Sequence, residues 1–317
     1  MEGIQPKRPH CFSFSDLAKG GVLFEKLTPP ARLGILGCPV AHSLSPLIQN
    51  AALRVALLPL QYVCLEITPE ELPKALEALR HSEFLGVNVT LPHKQEALAL
   101  VDEVSDHARL LGAINTIVIR HGKLYGHNTD GPGFIAAVKS AWNLSLADQR
   151  VLILGATGGA GRAIAAQCAL EGCRELYLAS RTLSKLAAQM HIPELLLQRT
   201  SSSRFVKAIS LDATSLATVM PDVDLIVNAT SVGMQKNDPS LIPSQLFHPG
   251  HFLYETIYSS GATSLMQAAL NAGASATNGL SMLVHQGVQA FRLWFDDLDD
   301  IDLESVMKDA LINTTHV

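Results

Sequence analysis

The sequence predicts an α/β protein of two domains, each built around a mostly parallel β-sheet. Short runs of β-branched and other apolar residues alternate with stretches of helical periodicity, which is typical of β-α-β units and therefore of parallel strands. The alternation begins near residue 33 and starts again after residue 130, which indicates two sheets joined by a hinge near residue 130. With 317 residues, 48% of them hydrophobic, the chain can form two cores of ordinary size.

The first half of the sequence predicts strands, helices and a hairpin. Thr68 is the expected N-cap of the second helix, Pro69 its first residue, and Glu71 completes a capping box. The apolar face of that helix consists of Leu72, Ala75, Leu76 and Leu79. The other expected elements are a strand at 33–37, a helix from Pro46, strands at 62–67 and 84–91, a helix at 93–101 opened by Pro92, and a hairpin after residue 112.

The second half predicts a further alternating series. Its expected elements are helices at 134–142 and 163–172 and strands at 150–155, 175–180, 205–210, 224–229 and 252–257. Two final helices, at 280–296 and about 302–311, fit either domain by hydrophobic pattern alone. Residues 1–30 lack periodicity and are interpreted as a loosely packed extension, and the serines at 201–203 as a loop.

Composition restricts the classes of partner. A net charge of −5 leaves no global basic field, so nucleic acid and anionic membranes are not expected as main partners and a small metabolite is. The five cysteines are odd in number and lack C-x-x-C spacing, which indicates free thiols in a reducing, cytoplasmic compartment and no metal site. No N-terminal apolar core typical of a signal peptide is present, nor a run near the roughly 18 apolar residues of a membrane span.

A glycine-rich turn in RVLILGATGGAGRAIAAQCALEG lies between a strand and an Ala-rich helix. Glycines let the backbone approach a pyrophosphate, and the helix N-terminus offers it unpaired N–H groups and the positive end of a dipole. The segment therefore predicts a Rossmann-like dinucleotide site. The alternative is a tight β-α turn that binds nothing.

The next strand indicates which dinucleotide. It ends Ala179-Ser180-Arg181-Thr182, with Lys185 one helical turn later, where NAD enzymes usually have a carboxylate for the ribose 2′-hydroxyl. A guanidinium and an ammonium suit a 2′-phosphate instead, so NADP is favoured. The alternative is a solvated arginine at a strand end.

Two serines precede the first helix. Ser45 is the expected N-cap and Pro46 the first helical residue, whereas Ser43 has no such role. Two hydroxyls beside a helix N-terminus form a candidate cradle for a carboxylate. Capping alone is the alternative.

The segment NVTLPHK at 88–94 carries a candidate catalytic lysine. Asn88 and Thr90 share the strand face that reaches the C-terminal sheet edge, where ligands bind in open α/β sheets. Pro92 would open a helix and place Lys94 in its first turn, where the dipole disfavours a cation. Such an ammonium suits a base or proton donor near neutral pH, and a tolerated surface lysine is the alternative.

Polar residues also mark the turns of the hairpin that follows. Asn115 and the triplet Asn128-Thr129-Asp130 fall at those turns. Asp130 is the expected N-cap of the next helix, and the same carboxylate can also pair with a lysine.

Taken together, these segments resemble the shikimate dehydrogenase family over about 280 residues from Leu33. The motifs occur in family order. They are G-x-P-V-x-H-S-x-S-P at 37–46, N-V-T-x-P-x-K at 88–94, G-A-x-N-T at 112–116, N-T-D-G at 128–131, N-A-T-S-x-G at 228–233 and G-L-x-M-L-x-x-Q at 279–286.

The resemblance implies NADP-linked interconversion of 3-dehydroshikimate and shikimate, a step in making chorismate and aromatic amino acids. In the family's usual account, hydride passes between C3 of the ring and the nicotinamide, Lys94 handles the proton of the C3 oxygen, and Asp130 orients the lysine. The implied substrate-binding residues are Ser43 and Ser45 for the carboxylate, with Asn88, Thr90, Asn115, Tyr258 and Gln286. The implied NADP-binding residues are Gly155, Ala156, Thr157, Gly158, Gly159, Ala160, Ser180, Arg181, Thr182, Lys185, Thr230, Ser231, Thr256, Ile257 and Gly279.

The resemblance also implies the domain limits. Residues 31–130 and 280–317 would form the substrate-binding domain and 131–279 the Rossmann-like NADP-binding domain, with the active site in the cleft between them and the enzyme a monomer or homodimer. Residues 1–30 would be an N-terminal extension, similar to the linker of fused dehydroquinase–shikimate dehydrogenase proteins.

The chain departs from the family pattern at four places. The glycine turn carries one extra residue, Ser180 stands where asparagine is common, Glu255 where aspartate is common, and YSSGAT at 258–263 replaces Y-N-P-x-x-T. Two alternatives to the biosynthetic enzyme stay open: a quinate/shikimate dehydrogenase that uses NAD, and a catalytically silent relative that binds a ring metabolite. Arg181 at the strand end and the paired serines disfavour the quinate/shikimate dehydrogenase that uses NAD. The presence of both Lys94 and Asp130 disfavours a silent binder.

Overall fold

The computed structural model describes residues 11–19, 22–147, 149–187, 190, 191, 193, 196, 204–258, 261–295, 298 and 300–315. The chain divides into two compact units. The first unit comprises Met1–Thr129 with Leu283–Val317, and the second unit comprises Asp130–Met282. The serines at 201–203 lie outside the described residues.

The first unit contains a seven-stranded sheet in the order β1-β3-β2-β4-β6-β7-β5. Its strands are β1 (Cys11–Ser13), β2 (Ala31–Gly37), β3 (Gln61–Glu66), β4 (Gly86–Val89), β5 (Glu103–Val104), β6 (Thr116–Arg120) and β7 (Lys123–His127). Its helices are α1 (Phe14–Leu17), α2 (Val22–Glu25), α3 (Ser45–Val55), α4 (Leu72–Arg80) and α5 (Asp106–Leu111). The sheet is mostly parallel, as predicted, and the pairs β4–β6 and β6–β7 are antiparallel.

The start of α4 confirms the predicted capping box. The backbone N–H of Thr68 donates to Glu71 Oε2 at 2.9 Å. Pro69–Glu71 forms a short 3-10 turn before the α-helix begins at Leu72. The predicted apolar face is buried in full and consists of Leu72, Ala75, Leu76 and Leu79.

The interpretation of residues 1–30 as a loosely packed extension is wrong for the part that the structure describes. Strand β1 pairs in parallel with β3, and Phe12, Leu17 and Phe24 belong to the core of the first unit. The Phe24 ring lies 4.9 Å from Phe12 and 5.2 Å from Phe84, measured between ring centroids. Sequence periodicity missed this segment because its elements are only three or four residues long.

The second unit contains a parallel sheet in the order β10-β9-β8-β11-β12-β13. Its strands are β8 (Arg150–Leu154), β9 (Glu175–Ser180), β10 (Phe205–Ser210), β11 (Leu225–Asn228), β12 (Phe252–Glu255) and β13 (Ser275–Thr277). Its helices include α6 (Asp130–Trp142), α7 (Gly159–Leu170), α8 (Leu183–Ala187), α9 (Ala213–Val219) and α10 (Ser264–Asn271). Counted from β8, this order is 3-2-1-4-5-6, which is that of the Rossmann fold.

The chain ends with α11 (Leu280–Trp294) and α12 (Leu303–Thr315). Residues from Leu283 onward belong to the first unit, where hydrophobic pattern alone left them unassigned. There the side chain of Gln49 in α3 donates to the carbonyl of Gly287 in α11 at 3.0 Å.

Candidate active site

Asn88 lies in β4 and connects three neighbouring segments of the first unit. Its Oδ1 accepts a hydrogen bond from the Tyr62 hydroxyl at 2.7 Å. Its Nδ2 donates to the carbonyl oxygen of Asn115 at 3.1 Å and to Thr116 Oγ1 at 3.0 Å. Because these bonds occupy both amide hydrogens inside the unit, Asn88 is suited to hold Asn115 in place.

Asn115 is the centre of a buried network that reaches across the sequence. Its Nδ2 donates to Thr129 Oγ1 at 2.9 Å and to Gln286 Oε1 at 3.4 Å, although Gln286 lies 171 residues away. Its Oδ1 accepts from the backbone N–H of Thr129 at 2.8 Å. Gln286 in turn donates to the carbonyl of Leu283 at 2.7 Å. Two predicted substrate-binding residues, Asn115 and Gln286, are therefore adjacent.

The helix predicted after Pro92 is wrong. Residues 91–96 form consecutive turns, followed by a 3-10 turn at Ala97–Ala99. The buried ring of His93 lies with Nε2 2.7 Å from the carbonyl oxygen of Ile67, which holds this segment beside β3. A helix of about nine residues is marginal without tertiary support, and here tertiary contacts such as this one accompany a series of turns instead.

Lys94 therefore sits on a turn rather than in the first turn of a helix, and the helix-dipole argument does not apply to it. Its carbonyl oxygen accepts a hydrogen bond from the backbone N–H of Ile114 at 2.9 Å. That bond places the Lys94 turn directly beside the segment that contains Asn115.

Asp130 begins α6 and is 5% exposed. The expected N-cap role is wrong by one position, because Asp130 is already the first helical residue. The two residues before it are held in the first unit, Asn128 by a 2.8 Å bond from its Nδ2 to the carbonyl of Ala113, and Thr129 by Asn115. The same network therefore holds the two residues that lead into α6.

The serine pair lies at the start of α3. Ser45 is the first helical residue and Leu44 occupies the N-cap, so the N-cap prediction for Ser45 is wrong. Ser43 Oγ instead accepts from the backbone N–H of Ser45 at 3.2 Å. The Ser45 hydroxyl forms no hydrogen bond with the residues that the structure describes, which leaves it for a ligand at this helix N-terminus.

The glycine turn connects β8 to α7 beside β11, where the strand order of the second sheet reverses. Gly155 has φ +80°, and a Cβ there would lie 2.6 Å from Thr230 Cγ2. A Cβ on Gly161 would lie 2.4 Å from the carbonyl oxygen of Gly155, so this glycine permits the helix to approach the strand. Both requirements match those of a pyrophosphate turn, and the residues present fit a dinucleotide.

The end of β9 offers a cationic surface. The Ser180 hydroxyl accepts from the backbone N–H of Thr182 at 3.2 Å and shapes the chain reversal into α8. Arg181 and Lys185 are both exposed on this turn and helix. Neither side chain forms a hydrogen bond or ion pair with the residues that the structure describes.

The loops after β11 and β12 bring the other predicted cofactor residues to the carboxyl edge of the second sheet. Thr230 Oγ1 donates to Asn228 Oδ1 at 2.8 Å, and Thr256 Oγ1 donates to the Asn228 carbonyl at 2.7 Å. The backbone N–H of Gly279 donates to the carbonyl of Ile257 at 3.3 Å. Ser231 is exposed at the same edge. Burial raises the pKa of Tyr258, which therefore stays a neutral hydroxyl near pH 7.

Two residues of these networks were missed by sequence reasoning. Tyr62 gave no signal, because an aromatic residue in a buried strand is ordinary core. Glu255 is fully buried at the end of β12. A carboxylate at the end of an apolar strand was the available signal, but Glu255 was noted only because aspartate is common at this position in the family.

The described residues contain no group of three or more His, Cys, Asp or Glu side chains arranged to hold a metal ion. Nor does any helix in the described part of the chain have the length and apolar character required to cross a membrane.

Comparisons of the sequence and of the structure with known proteins both find shikimate dehydrogenases. The family model of the shikimate dehydrogenase substrate binding domain matches residues 35–117, and that of the shikimate 5'-dehydrogenase C-terminal domain matches residues 279–312. A shikimate dehydrogenase (NADP(+)) of Methanopyrus kandleri is 35% identical over 282 residues, which cover 88% of this chain and 94% of the relative. A quinate/shikimate dehydrogenase of Escherichia coli is 36% identical over 264 residues, covering 83% and 91% respectively.

The fold is shared with solved structures as well. The crystal structure of shikimate 5-dehydrogenase from Thermus thermophilus, in complex with NADP(H) and shikimate, superposes with a TM-score of 0.74 at 34% identity, over 88% of this chain and 99% of that one. The chain therefore belongs to the shikimate dehydrogenase family.

Proposed function

We propose that this chain catalyses the NADP-dependent, reversible reduction of 3-dehydroshikimate to shikimate in chorismate and aromatic amino acid biosynthesis. The observation that carries the proposal is the buried network around Asn115. It joins the turn of Lys94, the residue before Asp130, and Gln286 from the far end of the chain. These are the residue types that a polyhydroxylated ring and a proton transfer at one of its oxygens require.

In this mechanism Ser43 and Ser45 bind the substrate carboxylate at the N-terminus of α3. Ser43 uses its oxygen lone pair for the N–H of Ser45, so its own O–H remains available to donate. The Ser45 hydroxyl and the positive end of the helix dipole add to the same anion site.

The ring hydroxyls are bound by Thr90, Asn115 and Gln286, with Tyr258 as a further donor. Asn88, also assigned to the substrate, donates to the Asn115 carbonyl and to Thr116 Oγ1 and so helps to hold Asn115 in place. Lys94 gives the proton to the C3 oxygen during reduction and accepts it during oxidation, while Asp130 orients the ammonium. When bound, NADP supplies the nicotinamide that donates or accepts the hydride.

The cofactor belongs to the second unit in this proposal. The glycine turn at 155–160 receives the pyrophosphate at the start of α7, and Ser180, Arg181, Thr182 and Lys185 receive the 2′-phosphate. Thr230, Ser231, Thr256, Ile257 and Gly279 line the nicotinamide half. Residues 31–130 and 280–317, with β1, α1 and α2 packed into the same core, then form the substrate-binding domain, and residues 131–279 form the NADP-binding domain.

The test is steady-state absorbance of the reduced nicotinamide with each of four pairs, formed from shikimate or quinate with NADP or NAD. We expect rapid reduction with shikimate and NADP only. A preference for quinate with NAD would overturn the proposal in favour of a quinate/shikimate dehydrogenase. A folded protein inactive with every pair would favour a catalytically silent binder.

The same proposal places the enzyme in the cytoplasm, since all five cysteines are free thiols. Light scattering of the purified protein distinguishes the monomer from the homodimer, both of which are compatible with the sequence.

A further inference from the structure

The carboxylate of Glu255 joins three separate segments at the carboxyl edge of the second sheet. Asn228 Nδ2, at the end of β11, donates to both carboxylate oxygens at 3.0 Å. The backbone N–H of Ile257, two residues beyond Glu255, donates to Oε1 at 3.2 Å. Thr263, at the N-cap of α10, donates through its hydroxyl to Oε2 at 3.0 Å.

Asn228 passes this constraint to the loop after β11. Its Oδ1 accepts from the backbone N–H of Thr230 at 3.0 Å and from the Thr230 hydroxyl at 2.8 Å. The Thr230 hydroxyl in turn accepts from the N–H of Val232 at 3.0 Å. The orientation of the Asn228 amide is fixed because its nitrogen must face the carboxylate, and this orientation is what presents the oxygen to Thr230.

The loop after β12 is also held by Asn228 and Glu255. Thr256 donates through both its N–H and its hydroxyl to the carbonyl of Asn228, at 3.0 and 2.7 Å. Ile257 is held by Glu255 and accepts the N–H of Gly279. Four of the residues that our functional proposal assigns to the nicotinamide half are thus linked, directly or through one partner, to a single side chain.

Glu255 is not an ordinary ion-pair member. It is 0% exposed and forms no salt bridge with the residues that the structure describes. Burial raises its pKa, while the hydrogen bonds from Asn228, Ile257 and Thr263 oppose that shift. A buried carboxylate without a counter-ion is unfavourable for stability, so its value to the protein lies in accepting several hydrogen bonds at once.

We propose that Glu255 is a positioning residue for the nicotinamide half of the cofactor, because it locks the Thr230–Ser231 and Thr256–Ile257 loops in one arrangement. The inference rests on the proposed function for the identity of the cofactor. It does not require Glu255 to touch the cofactor or the substrate.

The test begins with Glu255→Gln. The variant keeps the shape of the side chain but places an NH₂ group against donors from Asn228, Ile257 and Thr263, so at least one hydrogen bond is lost. We expect the Kd for NADPH, measured by fluorescence titration without substrate, and the KM for NADP both to rise at least about tenfold. The Kd for shikimate, measured by calorimetry, should change less than about twofold, because the residues assigned to that ligand lie mainly in the first unit.

A second pair of variants tests the proposal independently, in case Glu255→Gln does not fold. Thr263→Val removes one donor to the carboxylate from a residue that the functional proposal does not assign to the cofactor, and Thr263→Ser keeps the hydroxyl. The valine variant should weaken NADPH binding in the same direction, and the serine variant should restore it. Glu175→Gln, at the amino end of β9, is the matched control and should bind NADPH as the wild type does.

The outcomes separate the two proposals. Unchanged NADPH binding in folded Glu255→Gln and Thr263→Val, or equal losses for NADPH and shikimate, would overturn the positioning role. If the wild type binds NADPH but turns over none of the four substrate pairs, the functional proposal fails, while the binding titrations still decide the role of Glu255.

Discussion

At the scale of single residues, the proposed catalytic lysine and the proposed cofactor-binding arginine lie in different surroundings. Lys94 is placed by backbone and neighbouring contacts, since its carbonyl is bonded to Ile114 and its neighbour His93 to Ile67. Arg181 is exposed beside a reversal shaped by Ser180. Removing either side chain should therefore change chemistry or binding without disturbing the core.

Replacing Lys94 by alanine should abolish most turnover with little change in substrate binding. Proton transfer by a positioned side chain contributes about 10²–10⁴-fold to a rate, so kcat should fall by about that factor. The Kd for shikimate should stay within a few fold, as measured by calorimetry. Lys123→Ala, an exposed lysine of β7 that faces Glu103, serves as the control. Equal turnover in Lys94→Ala and the wild type would refute the mechanism.

Replacing Arg181 by alanine should weaken NADP far more than NAD. A charge-assisted hydrogen bond contributes about 1.5–3 kcal/mol, which corresponds to a loss of about 10- to 150-fold for NADP. NAD lacks the 2′-phosphate, so its KM should change little. Arg174→Ala, an exposed arginine at the amino end of the same strand, is the control. Parallel weakening of both cofactors would contradict the 2′-phosphate role.

At the scale of secondary-structure elements, short segments contribute more than their length suggests. The pieces β1, α1 and α2 would be unstable alone, yet they supply three aromatic or aliphatic side chains to the core of the first unit. The turn before β12 similarly depends on buried polar contacts, with His251 between Met220 and His248.

Truncating Phe24 should destabilise the first unit. The side chain is 1% exposed and contacts two other phenylalanine rings, so Phe24→Ala should lower the free energy of unfolding by about 3–5 kcal/mol. Urea unfolding followed by circular dichroism measures this change. Val55→Ala, half exposed at the end of α3, should cost far less. A small effect at Phe24 would mean that the N-terminal segment is dispensable for the fold.

The buried His251 should make stability dependent on pH in the acidic range. Its Nδ1 accepts from the backbone N–H of His248 and its Nε2 donates to the Met220 carbonyl, so a second ring proton has no acceptor. Burial lowers the pKa of His251 below its ordinary value. The unfolded chain then binds the proton first, and the free energy of unfolding should be constant above about pH 6.5 and fall as the pH drops below it.

Urea midpoints at several pH values test this expectation. In His251→Gln the fall below the ordinary histidine pKa should be shallower than in the wild type. His121→Asn, at an exposed turn with φ +52°, should leave the slope unchanged. An identical slope in His251→Gln would show that other groups carry the dependence.

At the scale of the whole molecule, the burial of its thiols should be visible in solution. Cys64, Cys168 and Cys173 are buried, and burial raises the pKa of Cys64 and of Cys173 to about 12. Cys11 and Cys38 are partly exposed. A thiol-reactive dye should therefore label the two partly exposed cysteines of the native protein before the three buried ones, Cys11 more slowly than Cys38 because burial raises the pKa of Cys11, and all five only in denaturant. Rapid labelling of all five in the native state would contradict the described core.

The α/β class, the mostly parallel sheets, the capping box before α4, the β6–β7 hairpin and the glycine turn could all be predicted from the sequence. These features depend on local periodicity, on caps and on backbone conformations that particular residues favour, so a window of a few residues contains the information. The sequence also indicated NADP, because one turn after one strand carries the relevant charge.

Features that depend on residues far apart in the sequence became visible only in the folded chain. The contact of Asn115 with Gln286 spans 171 residues, and the segment of Lys94 is held by a bond between His93 and Ile67, 26 residues earlier. The burial of Phe12, Leu17 and Phe24 and the bonds from Asn228 to Glu255 depend on distant partners in the same way. In each case packing and buried hydrogen bonds outweigh local preference, because a local preference of a fraction of a kcal/mol per residue yields to a buried contact of about 1 kcal/mol or more.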